Sequence, residues 1–178
     1  LMHAYNNIAL LYYEVASYEK SYQYQKYALD LSYKLNNRRG IAYSYNNIGM
    51  IYKEKKDFRE AEIFFKKSLE IKKELRDKPG IANVYGNIGD VSLAVSKHEQ
   101  ALSAYENAKN IFHQIDNTEG IAKSLESTGK VLLELNRLKQ AKSVISEALA
   151  IAVKNHYNKT AKNCYYLFSE LYEKKAKH

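Results

Sequence analysis

Residues 40–78 read GIAYSYNNIGMIYKEKKDFREAEIFFKKSLEIKKELRDK, and the chain repeats this phrase forty residues later and again forty after that. Gly40-Ile41-Ala42 returns as Gly80-Ile81-Ala82 and Gly120-Ile121-Ala122. Asn47-Ile48-Gly49 returns as Asn87-Ile88-Gly89, and then, with less fidelity, as Thr128-Gly129. Ala61 meets Ala101 and Ala141, and Ile71 meets Ile111 and Ile151, without a gap. A fixed period of this size is the mark of stacked supersecondary units, each too small to bury its apolar stripe alone.

Within the phrase the apolar residues keep helical spacing: Tyr45, Ile48 and Tyr52, then Ala61, Phe65 and Leu69. The break between the two runs is short, so the unit is predicted to be a helical hairpin, from Gly40 to Lys55 and from Asp57 to Arg76. Asp57 with Glu60 three residues on forms a capping box. Working outward, the first unit has helices from Met2 to about Ala16 and on to about Asn36, with Ser17 as N-cap and Asn36-Asn37-Arg38-Arg39 as a polar turn. The third spans Gly80–Val95 and Lys97–Ile115, with Pro79 suited to the first turn and Asn117 or Thr118 capping the next unit. The fourth spans Gly120–Leu135 and Leu138–Lys154. A last helix, about Lys159 to Lys175, keeps the register, Tyr165, Phe168, Leu171 and Tyr172 matching Tyr45, Ile48, Ile51 and Tyr52. The expected organisation is one repeat domain with units 1–39, 40–79, 80–119 and 120–158 and a final helix 159–176. Leu1-Met2-His3 enters a helix without a start signal, so a fragment of a longer protein is expected.

A glycine in mid-helix costs about 1 kcal/mol against alanine, so packing must explain Gly49, Gly89 and Gly129. They and the alanines Ala61, Ala101 and Ala141 are expected where backbones approach closely. On that reading Gly49→Leu overpacks the hairpin, at a cost of roughly 1–3 kcal/mol.

The pattern Tyr45, Ile48-Gly49, Tyr52, Ala61, Phe65, Ser68, with Tyr85, Ile88-Gly89, Ala101, Tyr105 and Ala108 in the next copy, resembles the tetratricopeptide repeat. This chain departs from the family's common period of about 34 residues, and lacks its closing proline. Six more residues lengthen the hairpin by roughly 9 Å of helix if one helix takes them all. The resemblance implies an all-α, right-handed superhelical solenoid of about nine helices, whose first helices line a concave groove. It further implies a protein or peptide ligand there, and a sensor or adaptor role in a regulatory protein. In such families asparagines in this part of the first helix bind peptide backbone. Asn7, Asn47 and Asn87 form such a column, broken by Ser127. Asn offers two donors and an acceptor, so a ladder of them can hold an extended chain without reading its side chains. The alternative is that these amides bridge neighbouring helices. A second column holds His3, Tyr43, Asn83, Lys123 and Asn163. Tyr13, Tyr43 and Met50 are candidates for apolar pockets, and Lys123 and Lys130 for an acidic group. Asp90, Glu126 and Glu134 make that wall mixed in sign. The candidate ligand-binding residues are therefore Asn7, Tyr43, Asn47, Met50, Asn83, Asn87, Lys123 and Lys130.

The net charge of +8 invites a nucleic-acid reading, but Lys53, Lys55 and Lys56 alternate with Glu54 and Asp57, as on a solvated helix face. Nucleic acid is the weaker expectation, and self-association through the last helix or the irregular first unit is the main rival. No run of about 18 apolar residues exists, so no membrane insertion is expected. The five histidines (His3, His98, His113, His156 and His178) show no metal-ligand spacing, and Cys164 lies in a Tyr-rich helical neighbourhood that favours packing over nucleophilic chemistry. No cofactor, metal or catalytic residue is expected.

Overall fold

The computed structural model describes residues 1–176, which form helices and short connections. In chain order these are α1 (Met2–Glu14), α2 (Tyr18–Lys34), α3 (Arg38–Glu54), α4 (Phe58–Glu74), α5 (Lys78–Ala94), α6 (His98–Gln114), α7 (Thr118–Glu134), α8 (Leu138–Lys154) and α9 (Asn158–Ala176). The fold is all-α, as the repeat predicts, and α8 runs over the expected residues. Contacts divide it into two compact units, Leu1–Asn87 and Ile88–His178.

The connections obey a rule that the sequence hides. Each helix from α1 to α8 is stopped by a residue with positive φ just beyond its end: Ala16, Asn36, Lys56, Arg76, Ser96, Asp116, Asn136 and His156, twenty residues apart. The next residue donates its N–H to a carbonyl five positions back, as Asn37 does to Ser32 (2.8 Å) and Asp57 to Tyr52 (2.9 Å). This is the Schellman stop, which satisfies carbonyls that the end of a helix leaves bare. That same next residue starts the following helix. Asn37, Asp77 and Asn117 each accept from the N–H of the glycine three residues on, at 2.9, 3.0 and 2.9 Å. Asp57 does the same for Glu60 at 3.3 Å. Two expectations change here. Ser17 stands at the N-cap position without a side-chain cap bond, and Arg38 and Arg39 belong to the first turn of α3, leaving Leu35, Asn36 and Asn37 as the whole turn. Asn37→Ala is expected to cost about 1 kcal/mol, the usual value of such a cap, read from urea denaturation.

In the first unit α3 and α4 pack face to face. A Cβ added to Gly49 would stand 2.7 Å from two ring carbons of Phe65. The close approach is thus a ring laid against helix backbone, where backbone against backbone had been expected. Phe65 and Ala61 are fully buried, and Tyr52 stacks on Phe64 at 5.4 Å between centroids. Ile41, Ala42 and Ile71 form a core with Leu29, Tyr45 and Leu75 around it.

In the second unit the same geometry recurs with other side chains. An added Cβ at Gly89 meets Tyr105 at 2.5 Å, and one at Gly129 meets Ile145 at 2.5 Å. The core gathers Leu125, Leu132, Leu133, Ile145 and Leu171, with Cys164 buried among them. α9 packs on α8 and α7 and keeps the register through Leu171. Its Tyr165 and Tyr172, however, are 60% and 55% exposed. At their matching positions in α7, Leu125 and Leu132 are buried beneath α8, and no second helix crosses α9 among the described residues.

Candidate functional site

The first hairpin, α1 with α2, holds a buried polar cluster where the later hairpins hold an aromatic or aliphatic side chain. Gln25 occupies the column of Phe65, Tyr105 and Ile145 and is 1% exposed. Its Nε2 donates to Asn6 Oδ1 (2.8 Å) and Ser44 Oγ (3.0 Å), and its Oε1 accepts from Asn47 Nδ2 (3.1 Å). A buried amide satisfied on both ends costs little, whereas one left unpaired costs a great deal. Asn87 Nδ2 likewise donates to Asn46 Oδ1 at 3.1 Å. Asn47 and Asn87 therefore each commit one donor to neighbouring helices, and both are half-buried.

Asn47 and Met50 line a small cavity with Ala9, Tyr13 and Gln25, of about 20 Å³. That volume takes one water. Tyr13 donates to Glu54 Oε1 at 3.1 Å, and burial, followed by the Glu54 charge and bond, holds its hydroxyl protonated well above the usual range. Asn7, Tyr43 and Asn83 are exposed and line no part of this cavity.

The second unit carries a larger concavity than this, a groove of about 770 Å³, inside the range of small-molecule and peptide sites. Three first-position helices build its walls: Asp90 and Leu93 from α5, Glu126, Ser127, Lys130 and Glu134 from α7, and Asn163, Tyr166 and Leu167 from α9. Tyr105 of α6 reaches in from below. The ring that fills the space over Gly89 ends in a hydroxyl, which donates to Asp90 Oδ1 at 2.8 Å. Burial first, and the Asp90 charge and bond second, keep that hydroxyl protonated far above its ordinary range.

Glu126 accepts from Asn163 Nδ2 at 2.8 Å. Burial pushes its carboxyl above the ordinary glutamate value and Asp90 adds to this, while the Asn163 bond, Lys159 and Lys123 offset part of it. Glu134 lies 3.1 Å from His98 Nε2. Of the predicted residues, Lys130 lines this groove. Lys123 does not; it is exposed and paired with Glu119 at 2.6 Å.

Asn163, Tyr166 and the Tyr105 hydroxyl were not among the predicted binding residues. Asn163 was visible as a member of the column of His3, Tyr43, Asn83 and Lys123. Gln25, too, could have been found by reading down the forty-residue column, where it is the polar member. Burial lifts the Cys164 thiol to about 11, with Glu126 adding to the effect, so it stays a packed thiol near neutral pH. Among the described residues no group of three His, Cys, Asp or Glu is placed to hold a metal ion, and no helix is long and apolar enough to cross a membrane. His178 lies outside the described residues.

Comparison with known structures agrees with the fold. BtubC from P. vanneervenii superimposes with a TM-score of 0.79 at 21% identity, over 88% of this chain and 65% of that one. Aspartyl phosphate phosphatase F from Bacillus subtilis gives 0.90 at 14% identity, over 94% and 44%. The Rap conjugation gene regulator of the plasmid pLS20, solved in complex with the Phr* peptide, gives 0.83 at 17% identity, over 94% and 46%. The chain thus spans about half to two thirds of the length of these structures. No curated protein matches it in sequence. The tetratricopeptide repeat pattern itself matches residues 1–74 and 80–154, and the chain belongs to the tetratricopeptide repeat family.

Proposed function

We propose that this chain is a non-enzymatic scaffold that binds a protein or peptide segment in the groove of its second unit, as the sensor or adaptor part of a regulatory protein. The observation that carries the reading is the groove itself. Its walls come from successive first helices, and it mixes apolar surface (Leu93, Leu167, the Tyr166 ring) with amide, hydroxyl and carboxylate groups. That mixture suits a peptide, whose backbone needs donors and acceptors and whose side chains need apolar contact. The fold it shares with a Rap regulator solved with a peptide supports the same reading.

The test is selection of phage-displayed random dodecapeptides on the intact chain, followed by titration of the synthetic winners. Saturable binding is expected, and Tyr166→Ala should weaken it about tenfold, near 1.4 kcal/mol. Because Tyr166 is 64% exposed, its removal should leave the melting temperature within a degree or two. Winners that bind Tyr166→Ala as well as wild type would move the site out of this groove. Asn87→Ala tests the asparagine column. Asn47 is a poorer probe, because its loss strips a partner from the buried Gln25 and is expected to disturb the fold as well.

One observation favours self-association as a second reading. Tyr165 and Tyr172 stand exposed on the face of α9 that matches a hairpin interface elsewhere in the chain. Light scattering that shows the same monomer mass at every concentration would remove it.

A further inference from the structure

We propose that the groove of the second unit selects peptide segments bearing a basic side chain, arginine or lysine, with Glu126 as its receiving carboxylate and Asp90 and Glu134 around it. This rests on the peptide-binding reading above and names the ligand chemistry it requires. The chain carries a formal charge of +8, yet this 770 Å³ groove is lined by three carboxylates (Asp90, Glu126, Glu134) and one ammonium (Lys130). It therefore opposes the sign of the molecule. Charge of one sign in a walled groove focuses the field on whatever enters it and sorts ligands by charge.

The carboxylates are held by side chains of neighbouring helices. Neutral donors orient two of them, the Tyr105 hydroxyl on Asp90 and the Asn163 amide on Glu126. Glu134 is close to His98. The groups that face Glu126 are Asp90 from α5, Lys123 and Lys130 from its own helix, and Lys159, Asn163 and the buried Cys164 from α9, with the Tyr105 hydroxyl from α6 behind Asp90. Lys123 is already engaged by Glu119. A guanidinium or ammonium from a ligand would add a charge-assisted bond to Glu126, and such bonds are the strong ones.

Burial and Asp90 already raise the Glu126 carboxyl. The fold therefore favours its neutral form, and any stability that this shift contributes is present at low pH and lost as pH rises through the raised value. Two consequences separate a binding role from a structural one. Glu126→Gln, which keeps an acceptor for Asn163 and removes the charge, should melt at or above wild type. Binding of a basic peptide should weaken as pH falls through the Glu126 range, because protonation removes the attraction.

The experiment is the dodecapeptide selection run in parallel on wild type and Glu126→Gln, with the wild-type winners titrated against both proteins from neutral pH downward. The expected result is enrichment of Arg and Lys over the input library, with about tenfold weaker binding of those winners to Glu126→Gln and to wild type at acid pH. Winners without basic enrichment would overturn the inference while leaving peptide binding intact. So would basic winners that bind Glu126→Gln unchanged. If no peptide is selected at all, both the inference and the reading beneath it fall.

Discussion

Phe65→Ala is expected to destabilise the protein by about 3–5 kcal/mol, the usual loss for a fully buried aromatic ring, and Gly49→Leu in that background is expected to restore part of it. Phe65 has no exposed surface, and its ring carbons stand 2.7 Å from where a Cβ at Gly49 would be. By itself, Gly49→Leu gains roughly 1 kcal/mol of helix propensity and loses more than that to overpacking. Once the ring is gone, the same leucine enters a void. The two substitutions should therefore couple by an amount of opposite sign to their separate costs, on the order of 1–3 kcal/mol. Urea denaturation of the four proteins measures it. Simple additivity would mean that the glycine is not there for the ring, and the reading of Gly89 over Tyr105 and Gly129 over Ile145 would fall with it.

Gln25→Leu is the second large effect, although it puts an apolar residue into an apolar column. The loss of the amide strands Asn6 Oδ1, Ser44 Oγ and Asn47 Nδ2. Asn6 and Ser44 are buried, and each buried group left without a partner costs about 1–3 kcal/mol, so roughly 2–5 kcal/mol is expected in total. Replacing Asn6 by Leu as well removes one of the stranded groups and should recover part of the loss. A Gln25→Leu variant that unfolds at the wild-type urea concentration would show that the cluster is not paired in solution.

How much of this could be read from the chain follows from what each residue depends on. The hairpins were legible because period and helical spacing are local, and so was the need for a glycine at 49, 89 and 129, since nothing else justifies it in mid-helix. What the glycine faces was not legible, because Phe65, Tyr105 and Ile145 differ in shape while doing the same job. The turns were hidden for a different reason. Lys56, Arg76 and Ser96 have no preference for positive φ, and they adopt it because the stop is imposed by the helices on either side. The site was least legible. Asn47 offers the same amide to a ligand or to a neighbour, and its choice of Gln25, twenty-two residues away, is a fact of the third dimension. The acids of the groove were seen in sequence as a mixed wall. Only the folded chain brings Asp90, Glu126 and Glu134 into one groove with Asn163 and Tyr166.

The uniform connections have one more consequence. From α2 to α8 every helix has seventeen residues, and each is followed by three that stop it and start the next. The chain therefore keeps a strict phase, because each helix residue turns the stripe by about 100°. A single inserted residue inside a helix would swing every later side chain of that helix by that angle and carry its large residue away from the opposing glycine. Substitutions can be absorbed at Lys56 or Arg76 with little change of shape, whereas insertions cannot be absorbed within the helices at all. The absence of any gap across the three aligned copies is the imprint of that asymmetry. Length is the conserved quantity of this array, and a change of one residue in it is expected to be worse tolerated than a change of many side chains.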